Sequence, residues 1–273
     1  MAIAGGIQAR GATRGQVYAV TILALLANAV AKTVVAQVGI QGVDALANGL
    51  GLSWAFWLSL ALCVRLAIIA KPVAARPADW RVAGLCIVAA ASPIGPLSSA
   101  AATLLGLWLL FDRTSDARLR AAAVVLLAIT VNLLWGPLLM VFFVAKIAAL
   151  DAHVVALIVH TTVQANRVLM LDGHHMSIIQ ACTSVENASV ALMMFVAIVR
   201  TFRFAPRASE WVYLAAVFAF VVVVNDVRLS LMAQNARMFD LVHGPVSWVA
   251  LNLTFTAAGL IGAALCVRHE ILA

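Results

Sequence analysis

Charged side chains are scarce in this sequence, and their scarcity excludes a soluble protein. Only 11% of the 273 residues are Asp, Glu, Lys or Arg, whereas an ordinary soluble domain carries about 25%. Hydrophobic residues make up 64% of the chain, and the mean hydropathy is +1.05. Apolar runs and short connections take up most of the length, which leaves no room for a separate soluble domain of ordinary size.

The sequence also lacks the spacings that mark common metal sites and disulfide frameworks. Its four cysteines include no CxxC pair, and no HExxH motif occurs. We therefore expect no zinc site, no disulfide framework and no bound cofactor. Cys63, Cys86 and Cys266 lie inside apolar runs and are expected to act as small hydrophobic core residues.

Long apolar runs predict an all-α fold, a polytopic bundle of transmembrane helices that forms a single integral-membrane domain over residues 1–273. A run of about 20 apolar residues crosses a hydrocarbon core of about 30 Å. We expect about six full spans plus one broken hairpin, and at most about eight spans. The first run is expected to be retained, because no convincing cleavage site follows it. The spans with clear limits are residues 16–39, 121–145, 181–199, 211–234 and 245–267.

Loop charges predict the orientation of these spans. Lys and Arg concentrate in the connections 71–81 and 112–120 and in the cluster 200–207, whereas the connection 40–48 carries Asp44 and no basic residue. Cytoplasmic loops carry an excess of Lys and Arg, so the three basic segments and both termini are predicted to be cytoplasmic. The net charge of +7 then reflects topology, and the lipid bilayer is the expected partner, with no nucleic acid.

The apolar run 82–111 lies between two basic connections, so the chain is predicted to enter the membrane and return. Pro93, Gly95 and Pro96 interrupt the run near its middle, which favours a hairpin of two short or re-entrant helices. A single long kinked helix is the alternative, and it would invert every later span.

Residues 146–180 form the longest stretch of mixed polarity. We expect an extracytoplasmic segment here, between the N-terminal spans of residues 1–145 and the spans of residues 181–273. Its landmark polar residues are Asp151, His153, His160, Asp172, His174 and His175. A metal-binding or haem-binding membrane enzyme is one function that such residues allow, although adjacent histidines cannot readily share one helical face. A non-catalytic scaffold or transporter is another, although a transporter would show paired broken helices.

A group of polar side chains opens the span at 181–199. Its members are Gln180, Cys182, Thr183, Ser184, Glu186 and Asn187. Polar groups are costly near hydrocarbon, so such a group is a functional-site hypothesis. On a helix, Glu186 would share the face of Cys182, four residues earlier. These residues alone leave catalysis and packing both open.

Two remote residues are predicted to lie on the same outer side of the membrane as Cys182. Arg228 stands late in the following span, where an arginine costs at least about 2.5 kcal/mol unless it snorkels or is paired. Asn225 lies three residues earlier on the same helix face, whereas Asp226 points elsewhere. His243 immediately precedes the last span. Snorkelling of Arg228 and simple contact of His243 with interfacial water are the alternatives to catalysis.

Three short motifs follow one another in a characteristic order. They are Gln180-Ala181-Cys182-Thr183-Ser184 before a span, Asn225-Asp226-Val227-Arg228 in the next span and His243-Gly244 ahead of the last. In this order, and in the approach at 168–178, the chain resembles the exosortase and archaeosortase family of integral-membrane transpeptidases. The likeness is detailed from residue 165 onwards and covers the upstream half only through its span pattern. The family typically has Glu-Ala-Cys-Ser-Gly at the cysteine, so this chain departs from it there.

The resemblance implies a cysteine peptidase with the catalytic set Cys182, Arg228 and His243. It implies membrane-anchored protein substrates whose C-terminal signal combines a short motif, a transmembrane helix and a basic tail. It also implies the cytoplasmic (inner) membrane of a prokaryote, with the active site facing outward. Supporting residues are then Asn225, Glu186, Thr183, Ser184 and His175.

The same residue types predict a chemical mechanism. A neutral thiol is a weak nucleophile, but an adjacent imidazolium or guanidinium and a helix N-terminus favour the thiolate. Cys182 is predicted to attack the scissile carbonyl and form a thioester. His243 is predicted to protonate the leaving amine and then to activate an incoming amine or water. Arg228, oriented by Asn225, is predicted to stabilise the oxyanion or to position the substrate.

Overall fold

The computed structural model describes residues 11–46 and 49–272, which form a helical bundle with one small sheet. The helices are α1 (Arg14–Gln41), α2 (Trp54–Ile68), α3 (Pro77–Ala90), α4 (Gly95–Phe111), α5 (Ala117–Thr130), α6 (Gly136–Val159), α7 (Ser184–Phe202), α8 (Ser209–Met232), α9 (Ala236–His243), α10 (Pro245–Cys266) and α11 (Arg268–Ile271). The strands are β1 (Val163–Gln164), β2 (Arg167–Leu169) and β3 (His175–Ser177), paired antiparallel in the order β1-β2-β3. The predicted all-α class is confirmed.

Within residues 11–46 and 49–272, five helical stretches are long and apolar enough to cross a membrane. They are Arg14–Ala45, Ala117–Val159, Ser184–Phe202, Ser209–Met232 and Val246–Cys266. Helices α2 and α4 are apolar but shorter. These lengths and compositions indicate a membrane protein. The total number of spans and their orientation stay predictions, and the N-terminal segment before residue 11 lies outside the described residues.

The apolar run 82–111 turns back on itself between α3 and α4. The turn lies against the middle of α1, where Asn28 Nδ2 donates to the Ser92 carbonyl at 2.9 Å and to the Ser98 hydroxyl at 2.8 Å. Pro96 lies in the first turn of α4, where its missing N–H has no consequence. The run is therefore a hairpin and not a single kinked helix.

Charged side chains join the open end of this hairpin to the start of α1. Arg14 and Arg76 both donate to Asp112 Oδ2, at 2.6 and 2.7 Å, and Arg76 also pairs with Asp79 at 3.0 Å. Burial raises the pKa of Asp112, but hydrogen bonds from Thr114 and from the two guanidiniums outweigh it and lower the pKa to about 2. The network holds both ends of the hairpin together.

One helical path runs from α5 into α6 through a π-helical turn at Val131–Trp135. Such turns are rare and are found mostly as single turns within α-helices. Here Asn132 Nδ2 donates to the Ser189 hydroxyl of α7 at 2.7 Å. The path continues to Val159, well beyond the predicted span end at 145. Asp151 is therefore a helical residue and not a loop residue.

Helix α7 lies at the centre of the bundle and contacts α2, α5, α6, α8 and α10. Thr183 caps its start, because Thr183 Oγ1 accepts from the Glu186 N–H at 3.4 Å. Helix α10 approaches it closely at Gly259, where a Cβ would lie 2.3 Å from the Ala191 carbonyl oxygen. The two backbones touch there because position 259 has no side chain.

Candidate active site

Cys182 and His243 line one small cavity of about 90 Å³. Cys182 ends a short 3-10 turn, Gln180–Cys182, that leads from the sheet into α7. His243 is the last residue of α9. The remaining lining is mostly apolar and consists of Met176, Ser177, Ile178, Ile179, Leu229, Met232 and Phe239. The fold thus brings together two side chains that are far apart in the sequence.

Arg228 lies beside this cavity, near the end of α8. Its guanidinium is close enough to the Cys182 side chain for an electrostatic interaction. The side chain is buried, and within the described part of the chain its Nε and Nη1 have no hydrogen-bond partner. A buried cation with free N–H groups is costly. The same two N–H groups are suited to an oxyanion that forms at the cysteine.

His243 is exposed at the edge of the cavity. Its ring stacks on Phe239, with ring centroids 5.1 Å apart and planes inclined by 21°. The stacking fixes the orientation of the imidazole while leaving it in contact with water. Gly244 separates it from α10, whose first residue is Pro245.

Asp172 connects the loop between β2 and β3 to the start of α9. Its Oδ2 accepts from the Ala236 N–H at 2.7 Å, and its Oδ1 accepts from the His174 N–H at 3.2 Å. The backbone N–H groups of Ala236 and His174 lower the pKa of Asp172. The carboxylate thus satisfies a free N–H in the first turn of α9 and helps to position the helix that carries His243.

Asn225 is fully buried behind the cysteine. Its Nδ2 donates to the Cys182 carbonyl at 2.9 Å and to the Ser184 hydroxyl at 3.1 Å, and its Oδ1 accepts from Asn187 Nδ2 at 3.0 Å. The described contacts include no hydrogen bond between Asn225 and Arg228. Asn225 therefore positions the backbone of Cys182, whereas the sequence predicted that it would orient the guanidinium.

Two buried carboxylates that were not predicted as site residues lie on the far side of Ser184. The Ser184 N–H donates to Asp151 Oδ2 at 2.9 Å, and the Ser184 hydroxyl donates to Asp226 Oδ1 at 3.5 Å. Both carboxylates are close enough to interact with each other. Asp151 belongs to α6, and its carboxylate lies at the N-terminus of α7, where negative charge is favourable. In the sequence, Asp226 lies two residues before Arg228, and this spacing places the two side chains on different faces of α8.

Three further predicted residues have other surroundings. Glu186 lies close to the Gln180 side chain and is not among the residues that line the cavity. The expected shared helix face with Cys182 does not occur, because α7 begins at Ser184 and the cysteine precedes it. His175 is exposed on β3, whereas its neighbour Met176 is buried and lines the cavity. His175 is not among the residues that line the cavity.

The other three cysteines lie apart from this cavity. All four thiols are free and buried. The Cys63 thiol donates to the Ala122 carbonyl at 3.3 Å, and Cys266 Sγ lies 3.7 Å from the Arg203 guanidinium. In residues 11–46 and 49–272, no three or more His, Cys, Asp or Glu side chains are grouped as a metal site requires.

The site is therefore a buried thiol with a guanidinium beside it and an imidazole at the cavity edge. A thiol, a guanidinium and an imidazole are side-chain types that can serve as a nucleophile, an oxyanion donor and a proton carrier. Comparison of the chain with known protein families, with curated proteins and with solved structures finds no match.

Proposed function

We propose that the protein is a membrane-embedded cysteine peptidase and transpeptidase. It cleaves a C-terminal sorting signal of exported proteins at the outer membrane face and proceeds through a thioester. The observation that carries this proposal is the Arg228 guanidinium, which lies beside Cys182 and whose Nε and Nη1 have no hydrogen-bond partner among the described residues. A packing role accounts poorly for a buried cation without a carboxylate partner.

The first half of the reaction releases the membrane anchor of the substrate. The Cys182 thiol gives its proton to His243, and the thiolate Sγ attacks the scissile carbonyl carbon, so that a C–S bond forms and the carbonyl oxygen becomes an oxyanion. Arg228 Nε and Nη1 donate to that oxyanion. The C–N bond then breaks, and His243 gives its proton to the leaving amine nitrogen. The product is a thioester on Cys182.

The second half of the reaction transfers the acyl group. An incoming amine or water loses its proton to His243 and attacks the thioester carbon. The C–S bond breaks and the sulfur leaves as a thiolate, which the Arg228 guanidinium stabilises. The incoming nucleophile decides between transpeptidation and hydrolysis.

The substrate proposed here is an exported protein with a short recognition motif, a transmembrane helix and a basic tail. The described helices that are long enough to cross a membrane support a membrane location. The positive loops support an orientation with the cavity on the outer side, and the resemblance to the exosortase and archaeosortase family implies the cytoplasmic membrane of a prokaryote. The basic tail of the substrate would then stay on the cytoplasmic side, while the motif reaches Cys182.

Processing of a co-expressed substrate tests this proposal. The Cys182→Ala and Cys182→Ser variants are expected to leave the signal uncleaved, whereas Cys86→Ala, which changes a buried cysteine away from the cavity, keeps processing at the wild-type rate. Arg228→Lys keeps the charge but loses the planar fork, and removal of one oxyanion donor typically lowers the rate by about 100-fold or more. Undiminished processing by Cys182→Ala would overturn the proposal.

Hydroxylamine provides a second, chemical test. It attacks thioesters and releases the acyl group as a hydroxamate, which mass spectrometry detects at the new C-terminus of the substrate. We expect the hydroxamate with the wild-type protein and none with Cys182→Ala. A wild-type reaction that hydroxylamine leaves unchanged would contradict a thioester intermediate.

A further inference from the structure

A second cavity, of about 870 Å³, lies at the opposite end of α7 from Cys182. The 19 residues of α7 separate the two by about 28 Å at 1.5 Å per residue. Residues from α5, the end of α7, the start of α8 and the C-terminal helix α11 surround this cavity. Its charged lining consists of Arg120, Arg200, Arg203, Arg207, Glu210 and Glu270.

The charges of this lining do not balance. Four arginines face two glutamates, which leaves a net charge of +2. Arg200 pairs with Glu210. Arg203 and Arg207 share Glu270 Oε1, at 2.7 and 2.8 Å. The pairs hold the wall together, and the excess positive charge attracts an anion.

Two of the arginines keep N–H groups for such an anion. The Arg207 side chain is 61% exposed, and the described contacts give it one ion pair through Nη1. Arg120 lies in the first turn of α5 and donates through Nη2 to the Arg113 carbonyl, at 3.3 Å. Their remaining guanidinium N–H groups project from two different elements around one cavity. Such forks match the geometry of a phosphate.

The rest of the lining is apolar. It includes Leu110, Val124, Phe195, Val196 and Leu214. An inorganic or sugar phosphate would leave this surface in contact with water. A ligand with an anionic head and a hydrocarbon chain would cover this apolar surface with its chain and accept hydrogen bonds from the arginines with its head.

The position of the cavity in the bundle agrees with the level of lipid head groups. It lies where α7 ends and α8 begins, and the exposed aromatic residues Trp211 and Phe202 flank that connection. Tryptophan is enriched at the boundary between hydrocarbon and water. Basic pockets between transmembrane helices on the cytoplasmic side are suited to anionic lipid head groups.

We infer that this cavity binds an anionic phospholipid. The phosphate lies between Arg120 and Arg207, and one acyl chain lies along Val124 and Val196. The site is separate from the proposed peptidase centre, and lipid binding there does not depend on the chemistry of Cys182.

Native mass spectrometry of the full-length protein in detergent micelles tests the inference. The probes are phosphatidylglycerol, phosphatidylcholine of the same chain length, and glycerophosphoglycerol, which has the anionic head group without chains. We expect phosphatidylglycerol adducts to be at least about 10-fold more abundant than phosphatidylcholine adducts, because the choline cation of phosphatidylcholine is repelled by the net positive charge of the lining. The double variant Arg120→Gln/Arg207→Gln is expected to lose this preference.

The matched control is Arg81→Gln, which removes an exposed arginine of α3 outside the cavity and should keep the preference. Both altered arginines are exposed, and a thermal unfolding curve checks that the double variant is folded. Equal retention of the two lipids, or an unchanged preference in the double variant, would refute the inference. Equally tight binding of glycerophosphoglycerol would show a site for free anions and would refute the lipid assignment.

Discussion

Replacement of Asn225 by alanine tests whether the Asn225 side chain stabilises the turn Gln180–Cys182. The wild-type amide is fully buried and makes three hydrogen bonds, to the Cys182 carbonyl, the Ser184 hydroxyl and Asn187. Ser184 and Asn187 keep other partners after the change, because Ser184 contacts Asp226 and Asn187 contacts the Thr183 carbonyl. The Cys182 carbonyl loses its only partner among the described contacts.

The hydrogen bonds that are lost in Asn225→Ala determine the expected loss of stability. A buried carbonyl left without a partner costs about 1–3 kcal/mol, and each of the two other lost bonds contributes about 1 kcal/mol. The Asn225→Ala variant should therefore be less stable by about 3–5 kcal/mol. For a chain of this size, that loss lowers the unfolding midpoint by on the order of 10 °C.

Burial of all four cysteines provides the assay. A maleimide dye that fluoresces on reaction with thiols reports their exposure as the purified protein is heated in detergent micelles. Asn252→Ala is the matched control, because the described contacts give the Asn252 side chain a single hydrogen bond, to the Trp248 carbonyl one turn earlier in α10. Its midpoint should stay within about 2 °C of the wild type. An equal decrease in both variants, or no decrease in Asn225→Ala, would refute this role of Asn225.

Three other predictions concern packing, buried charge and pH. Gly259→Ala should lower the unfolding midpoint, because its Cβ would meet the backbone of α7. Gly84→Ala, with no atom within 4 Å of its Cβ, should raise the midpoint slightly. Equal midpoints for the two variants would contradict the close approach. Arg228→Met should raise the unfolding midpoint, because an unpaired buried cation is removed, and it should abolish processing of the substrate. A lower midpoint would mean that the guanidinium stabilises the fold. The lowered pKa of Asp112, about 2, adds stability that is present above the unfolded value of about 3.9 and lost as pH falls towards 2. Asp112→Asn should show a smaller decrease over that range, and parallel acid curves would contradict this.

Helical periodicity and loop charge predicted the helical class and the turn within 82–111 because both depend on local composition. The same signals predicted that Cys182, Arg228 and His243 would share one end of the bundle. The structure has Cys182 and His243 in one cavity, with Arg228 beside it. Convergence at a helix end needs only the direction of each span, which the sequence indicates.

The contacts that Asp151 and Asn225 make near Cys182 could not be predicted from local sequence patterns, because they depend on how distant helices pack. Asp151 reaches Ser184 only because the π turn and α6 continue the helix past residue 145. Asn225 binds the Cys182 carbonyl because α8 packs on α7, and no periodicity predicts that contact. The short strands of two or three residues also have too few residues for an alternating pattern to be recognised.

The approach of α10 to α7 has a consequence for the geometry of catalysis. The two helices run in the same direction, since Arg203 after α7 donates to the Cys266 carbonyl at the end of α10. Cys182 lies two residues before the start of α7, and His243 lies two residues before the start of α10. The contact between the two backbones at Gly259 and Ala191 therefore helps to set the distance between the proposed nucleophile and the proposed proton carrier.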